Sequence, residues 1–249
     1  MSFCDLKGKT VLVTGASSGI GMQAAISISK MGATLIITGR NESKLKDTFT
    51  SLEGQGHQML AGDLILDEDR DVLVSDLPEL DGVVHCAGII GPTPAKFIRS
   101  DDIKKMMSIN YRAPVLLNAS ILQKKKLKKG ASVLMMSSVV TQNPYFGGSL
   151  YSASKGAIEA YTKTLALELV DKNIRVNCIS PGLVNTPLIT DPAKENNPEI
   201  VEDSLARYIA KYPMGVGEAE DVANAIVFLL SDESRWISGV NLPMGAIVR

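Results

Sequence analysis

The sequence is poor in the residues that build metal centres and covalent frameworks. Its three cysteines, Cys4, Cys86 and Cys178, are odd in number and far apart, which excludes a disulfide framework or a zinc pattern. Two histidines, His57 and His85, are too few for a metal cluster, so no metal is expected. No apolar run approaches the roughly 18 residues that a membrane span needs. The opening MSFCDLKGKT lacks an apolar stretch of signal-peptide length. A cytoplasmic protein without a membrane partner is therefore expected. Charge of either sign is also not in excess: 26 Lys and Arg against 27 Asp and Glu give a net charge of −1. That balance offers no basic surface to nucleic acid or to an anionic membrane. What the chain does have is 45% hydrophobic residues over a length of 249, enough for one large α/β domain spanning 1–249.

Apolar, β-branched runs alternate with helical patterns along the chain. KTVLVTG reads as a buried strand ending in glycine, and ASSGIGMQAAISISKMG as the helix that follows. ATLIITGR is a second strand and NESKLKDTFTSLE a second helix, capped by Asn41. GHQMLAGDL gives a third strand ending at Asp63, and DEDRDVLVSDLPEL a short acidic helix. DGVVHCAG is the fourth strand. DDIKKMMSINYRAPVLLNASILQKKKLKKG reads as one long helix softened near Pro114, with its lysines at the C-terminal end. ASVLMMSS and NIRVNCIS are further strands, on either side of a helix from Ser152 onward. GEAEDVANAIVFLLSD and SGVNLPMG close the chain as helix and strand. The expected fold is a Rossmann-type, doubly wound parallel sheet of about seven strands with helices on both faces.

Two local patterns suggest chemistry. Gly15, Gly19 and Gly21 lie between the first strand and helix, where glycines admit a pyrophosphate to the backbone and the helix N-terminus supplies free N–H groups. At the end of the second strand, where an acid would bind a ribose 2′-hydroxyl, the chain has Arg40, which suits a 2′-phosphate; NADP(H) is favoured over NAD(H). Asp63 is placed to meet an adenine edge. Further on, Tyr151 and Lys155 stand four residues apart on one helical face. A nearby cation favours the phenolate, lowering a tyrosine pKa of about 10 toward the range useful for proton transfer.

Taken together, TGASSGIG at 14–21, Asn110 in SINY, Ser138, YSASK at 151–155 and PGLVNT at 181–186 resemble the short-chain dehydrogenase/reductase family. Within it the chain looks like the group containing the 3-oxoacyl-acyl-carrier-protein reductases and related ketone reductases. The resemblance implies a catalytic set of Asn110, Ser138, Tyr151 and Lys155. Tyr151 would be the proton donor, Ser138 an oxyanion partner, and Asn110 the holder of a water that connects Lys155 to solvent. It also implies cofactor contacts from Gly15, Ser17, Ser18, Gly19, Ile20 and Gly21 in the first turn. Arg40, Asp63 and Leu64 after the second and third strands, and Cys86, Ala87 and Gly88 after the fourth, would line the cofactor as well. Asn110, Tyr151, Lys155, Pro181, Gly182, Val184 and Thr186 would complete the site. Ser137 beside Ser138 would face away by strand alternation.

The chain departs from the family pattern in places. His85-Cys86-Ala87-Gly88 replaces Asn-Asn-Ala-Gly, so Cys86 loses the asparagine's bracing bonds, and His85 is expected to be structural and not a base. Pro243-Met244-Gly245-Ala246 replaces Asp-Gly-Gly at a strand that often meets a neighbouring subunit; a homotetramer or homodimer is expected. Residues 187–213 would form a substrate lid with acids at Asp191, Glu195, Glu199, Glu202 and Asp203, facing Asn143-Pro144-Tyr145. The expected partner is a small-molecule carbonyl substrate, free or carrier-linked. Lys124, Lys125, Lys126, Lys128 and Lys129 read as a solvated helix end, with docking of an acidic carrier protein as the alternative.

Overall fold

Parallel strands covered on both faces are apolar nearly throughout, and the runs TVLVT at 10–14, TLIITG at 34–39 and GVVH at 82–85 of this chain fit that demand. The computed structural model describes residues 4–189, 209–210 and 212–245. Strands β1 (Thr10–Thr14), β2 (Thr34–Gly39), β3 (Gln58–Ala61), β4 (Leu80–His85), β5 (Leu127–Met136) and β6 (Arg175–Pro181) lie in one sheet with β9 (Asn241–Met244). Their order is β3-β2-β1-β4-β5-β6-β9, every neighbouring pair parallel. The direction of winding reverses between β1 and β4, and a crevice opens there beyond the strand ends, where such sheets bind ligands.

Alternation divides the core in two. Val11, Val13, Leu35, Ile37, Val84 and Leu134 pack on one face with residues of α1 (Gly19–Lys30) and a C-terminal helix, α7 (Ala219–Leu230). Leu12, Ile36, Val83, Val133, Met135 and Val176 pack on the other with α3 (Asp67–Asp76), α5 (Ala113–Gln123) and α6 (Ser149–Leu169). Helix α2 (Glu42–Thr50) begins at Asn41, whose side chain accepts from the Lys44 N–H at 2.9 Å. Helix α7 begins with reciprocal bonds between Glu218 and Asp221. Among the described residues no helix is long and apolar enough to cross a membrane.

Several elements differ from the sequence reading. The expected single long helix is α4 (Ser100–Met107), a π-helical turn over Ser108–Arg112, and α5. Pro114 has no N–H to give the Asn110 carbonyl, and the Ala113 N–H reaches the Ser108 carbonyl instead. The helix also stops well before the lysine cluster ends. Lys124 closes it, Lys125 is left-handed at φ 54°, and the Lys125 and Lys126 N–H groups return to Leu122 and Ile121 carbonyls in a Schellman arrangement. Lys128 and Lys129 belong to β5, which starts at Leu127. Lys126 Nζ donates to the Leu77 carbonyl at 2.5 Å and Lys128 Nζ pairs with Asp81 at 2.8 Å, so the cluster is partly bound to its own chain.

Strand β3 ends at Ala61 and not at Asp63, because the Asp63 carboxylate turns the chain by accepting the Ile65 N–H at 3.1 Å. Helix α6 starts at Ser149, a turn's width before the expected Ser152. A short parallel pair absent from the sequence reading, β7 (Val184–Asn185) with β8 (Gly217–Glu218), ties together the roots of the expected lid. The lid itself lies almost wholly outside the described residues, its five acids included, as does Ala246.

Candidate active site

The crevice at the sheet's switch point is a cavity of about 680 Å³. Its first end is built from backbone. Gly15 has φ 67°, and a Cβ on it would stand 2.5 Å from the Ala87 nitrogen; Gly21 would bring a Cβ within 2.2 Å of the Gly15 carbonyl oxygen. These glycines let the β1–α1 turn lie flat against β4, a condition for the helix N-terminus to face the crevice. Ser18 at that N-terminus makes no side-chain cap, and the first turn holds no acid. The leading N–H groups and the positive end of the helix dipole therefore remain available to an anion. Arg40 lines the same end from the tip of β2 and is exposed. The residues present thus fit a dinucleotide phosphate.

Beside Arg40, the loop with Asp63 and Leu64 is held from below. Arg70, buried at 4% exposure, donates to the Leu64 carbonyl at 2.7 Å and pairs with Asp67. The Asp63 N–H donates to Asp69 at 2.6 Å. A lone arginine on an acidic helix carries no visible signal of burial in the sequence.

Side chains make the second end. Tyr151 and Lys155 share one face of α6, both buried, with Lys155 Nζ 5.6 Å from the Tyr151 ring centre. Lys155 Nζ donates to the Met136 carbonyl at 2.9 Å. Burial pulls its pKa from 10.5 down to about 8, with the Cys178 and Cys86 thiols acting the other way. Those thiols are themselves pushed up to about 12 by burial, so at neutral pH they carry no charge that could pair with it. One unit below its pKa, roughly nine-tenths of the amine is still protonated, so a cation sits beside the phenol at pH 7.

Ser138 follows β5 and starts a 3₁₀ turn, Val139–Thr141. Its Oγ accepts from the Val140 N–H at 3.3 Å and lies 3.4 Å from the Pro181 carbonyl. Ser137, which follows the end of β5 and also lines the cavity, has its Oγ 2.8 Å from Glu159 and 3.2 Å from the Lys155 carbonyl. Asn110 sits inside the π-helical turn, buried at 2% exposure. Its Oδ1 accepts from the Ile89 N–H at 2.8 Å, and its Nδ2 lies 2.9 Å from the Ile89 carbonyl and 3.1 Å from Ser154 Oγ. Gly88 is the gap between Asn110 and Lys155: a Cβ there would stand 3.3 Å from Asn110 Oδ1 and 3.5 Å from Lys155 Nζ.

The structure brings the residues marked in the sequence into one cavity wall: the first-turn glycines and serines, Ile20, Arg40, Asp63, Leu64, Cys86, Ala87, Gly88, Ser138, Tyr151, Lys155, Pro181, Gly182, Val184 and Thr186. Asn110 stands behind that wall and not in it. Of Asn143, Pro144 and Tyr145, only Tyr145 reaches the cavity; Leu188, Ile189 and Tyr212 line it from the two ends of the lid segment. Cys86 is held by its main chain, the N–H donating to the Thr14 carbonyl at 3.2 Å. His85 is buried, its Nε2 2.8 Å from Asn118 Oδ1, and burial pulls it down to about 4. It is a neutral ring tied to α5 at physiological pH. Among the described residues no group of three or more His, Cys, Asp or Glu side chains could hold a metal.

Comparison with known proteins places this geometry. The family model described as "Enoyl-(Acyl carrier protein) reductase" matches residues 15–245. A 3-oxoacyl-[acyl-carrier-protein] reductase FabG of Rickettsia felis is 35% identical over 236 residues, 94% of each chain. A glucose 1-dehydrogenase of Gluconobacter oxydans is 33% identical, over 94% of this chain and 90% of its own. The crystal structure of L-sorbose reductase from Gluconobacter frateurii, complexed with NADPH and L-sorbose, superposes with a TM-score of 0.89 at 25% identity, covering 100% of this chain and 99% of that one. A crevice at the switch point, a buried tyrosine–lysine pair on its wall and near full-length similarity to these oxidoreductases lead to one conclusion: the chain is a member of the short-chain dehydrogenase/reductase family, an enzyme acting on alcohol and ketone groups.

Proposed function

We propose that this enzyme is an NADP(H)-dependent carbonyl reductase whose substrate is a 3-oxoacyl thioester or a similar ketone. The observation that carries the reading is the Tyr151–Lys155 pair, buried in the cavity wall with the amine 5.6 Å from the phenol ring centre. A bound nicotinamide would supply or accept the hydride. Tyr151 gives its phenolic proton to the carbonyl oxygen as that oxygen becomes an alcohol, and takes it back in the reverse direction. Lys155 stabilises the tyrosinate left behind, and the Ser138 hydroxyl donates to the developing oxyanion. Asn110 keeps the π-helical turn against Ile89 and Ser154 and holds the water that resupplies the proton. The α1 N-terminus and the first-turn glycines take the pyrophosphate. Asp63 and Leu64 take the adenine, and Arg40 the 2′-phosphate. A cytoplasmic homo-oligomer fits this reading.

A second reading is a small alcohol, polyol or sugar dehydrogenase. It is favoured by the likeness to glucose 1-dehydrogenase and L-sorbose reductase. The loss of NADPH and of NADH absorbance against 3-oxoacyl thioesters, diketones and ketoses separates the two. Fastest turnover of a thioester with NADPH is expected. Fastest turnover of a ketose would install the second reading, and no turnover of any carbonyl would remove both.

A further inference from the structure

One carboxylate outside the catalytic set gathers the segments that carry it. Glu159 stands one turn beyond Lys155 on α6 and lies outside the cavity lining. Its Oε1 is 2.8 Å from Ser137 Oγ, 2.8 Å from Thr141 Oγ1 and 3.4 Å from Ser180 Oγ. These hydroxyls come from the end of β5, the 3₁₀ turn after it and the end of β6. Each has a single proton to donate. Ser180 lies closer to Asn241 Oδ1, at 2.7 Å, so its proton goes there. The Ser137 and Thr141 protons go to Glu159, their shortest acceptor, as charge-assisted bonds. Both residues flank Ser138.

Without the carboxylate, each hydroxyl has one remaining neighbour. Ser137 Oγ lies 3.2 Å from the Lys155 carbonyl, and Thr141 Oγ1 lies 3.2 Å from the carbonyl of Ser138 itself. Thr141 would then pull on the backbone of the very residue that must aim at the substrate oxygen. Ser138 has little else to hold it, since its own side-chain bonds are long, 3.3 and 3.4 Å.

We infer that Glu159 is a positioning residue: by clasping Ser137 and Thr141 to α6 it sets the Ser138 hydroxyl against the substrate carbonyl. This rests on the reductase reading above and extends it to a residue that never touches the reactants.

The test is a double-mutant cycle on the full chain, with 3-oxobutanoyl thioester as the probe and turnover at saturating NADPH as the readout. Glu159→Ala is expected to lower kcat about tenfold to a hundredfold, the range that misplacement of a reacting group produces. NADPH affinity, measured separately by fluorescence titration, is expected to stay unchanged. Glu159→Gln keeps an acceptor oxygen and restores most of the rate. In a Ser138→Ala background Glu159→Ala changes nothing further, because there is no hydroxyl left to aim. Should Glu159→Ala fail to fold, Thr141→Val carries the same test, with a severalfold loss that vanishes in the Ser138→Ala background. Equal losses with and without Ser138, or an unchanged kcat in a wild type that does turn over, would overturn the clasp alone. A wild type that reduces no carbonyl, or a Ser138→Ala variant at full rate, overturns the reductase roles and the clasp with them.

Discussion

The two ends of the crevice are made from different materials. At the phosphate end the working groups are main-chain N–H donors at the start of α1, and the side chains that matter are ones that are missing, at Gly15 and Gly21. At the carbonyl end the working groups are side chains, and two of the buried ones have firm partners: Lys155 the Met136 carbonyl, Asn110 Ile89 and Ser154. Backbone donors need space and tolerate little added volume. Buried polar side chains need solvation replaced, and Lys155 shows that replacement to be incomplete. The first end should therefore fail by crowding, and the second by loss of a charge or proton at nearly constant shape.

The largest expected effect is at the phosphate end. Gly15→Ala forces a Cβ to 2.5 Å from the Ala87 nitrogen at φ 67°. A left-handed alanine and a backbone clash together should cost about 3 kcal/mol or more and abolish cofactor binding. Thermal unfolding and NADPH titration check it; a variant that binds normally would show the turn to be looser than its geometry. Next is Arg40→Asp, which replaces attraction to a 2′-phosphate by repulsion at a side chain. A charged hydrogen bond of about 1.5–3 kcal/mol is at stake, so the NADPH-to-NADH preference in kcat/KM should move by about a hundredfold. An unmoved ratio would take Arg40 out of cofactor choice.

The smallest expected effect sharpens the contrast from the other side. Lys155 has a folded-state pKa of about 8 against 10.5 for the ordinary side chain. The unfolded chain therefore binds more protons between those values, and stability rises with pH across that window. Below about pH 8 the whole penalty is present, about 3 kcal/mol at 1.36 kcal/mol per unit. Lys155→Met keeps the shape and removes the charge but leaves the Met136 carbonyl without its donor, at about 1 kcal/mol. A net gain of about 2 kcal/mol at pH 7 is expected, raising Tm by roughly 5 °C, in an inactive protein. The gain should shrink toward pH 10; a destabilised variant would mean that the amine holds the site together.

These contrasts also explain which parts of the fold and the site are legible in the sequence. Buried parallel strands are apolar runs, so β1, β2, β4 and β6 stand out in the sequence, and the glycine turn and Tyr151–Lys155 carry their chemistry in local spacing. The lysine-rich stretch at 124–129 hid both a helix end and a strand start. Its αL position is Lys125, where glycine would have given the signal, and β5 begins with long aliphatic stems followed by charge. Asp63 terminated β3 early through a bond to its own backbone neighbourhood. The β7–β8 pair is two residues per strand and joins positions more than thirty apart, leaving no periodicity to detect. Glu159 and Arg70 carry no signal in the sequence that sets them apart from other helix charges. Only the fold reveals that hydroxyls from β5, its following turn and β6 converge on the first, and that the second lies under the Leu64 loop.

The proposed reaction depends on the Tyr151 hydroxyl, beside the Lys155 amine, as its proton donor. Steady-state turnover of Tyr151→Phe, measured alongside NADPH affinity, tests it most directly. A loss of about a thousandfold or more in kcat with affinity held within about twofold is the predicted result, since a positioned acid contributes about 10²–10⁴. Near-normal turnover in that variant would contradict it.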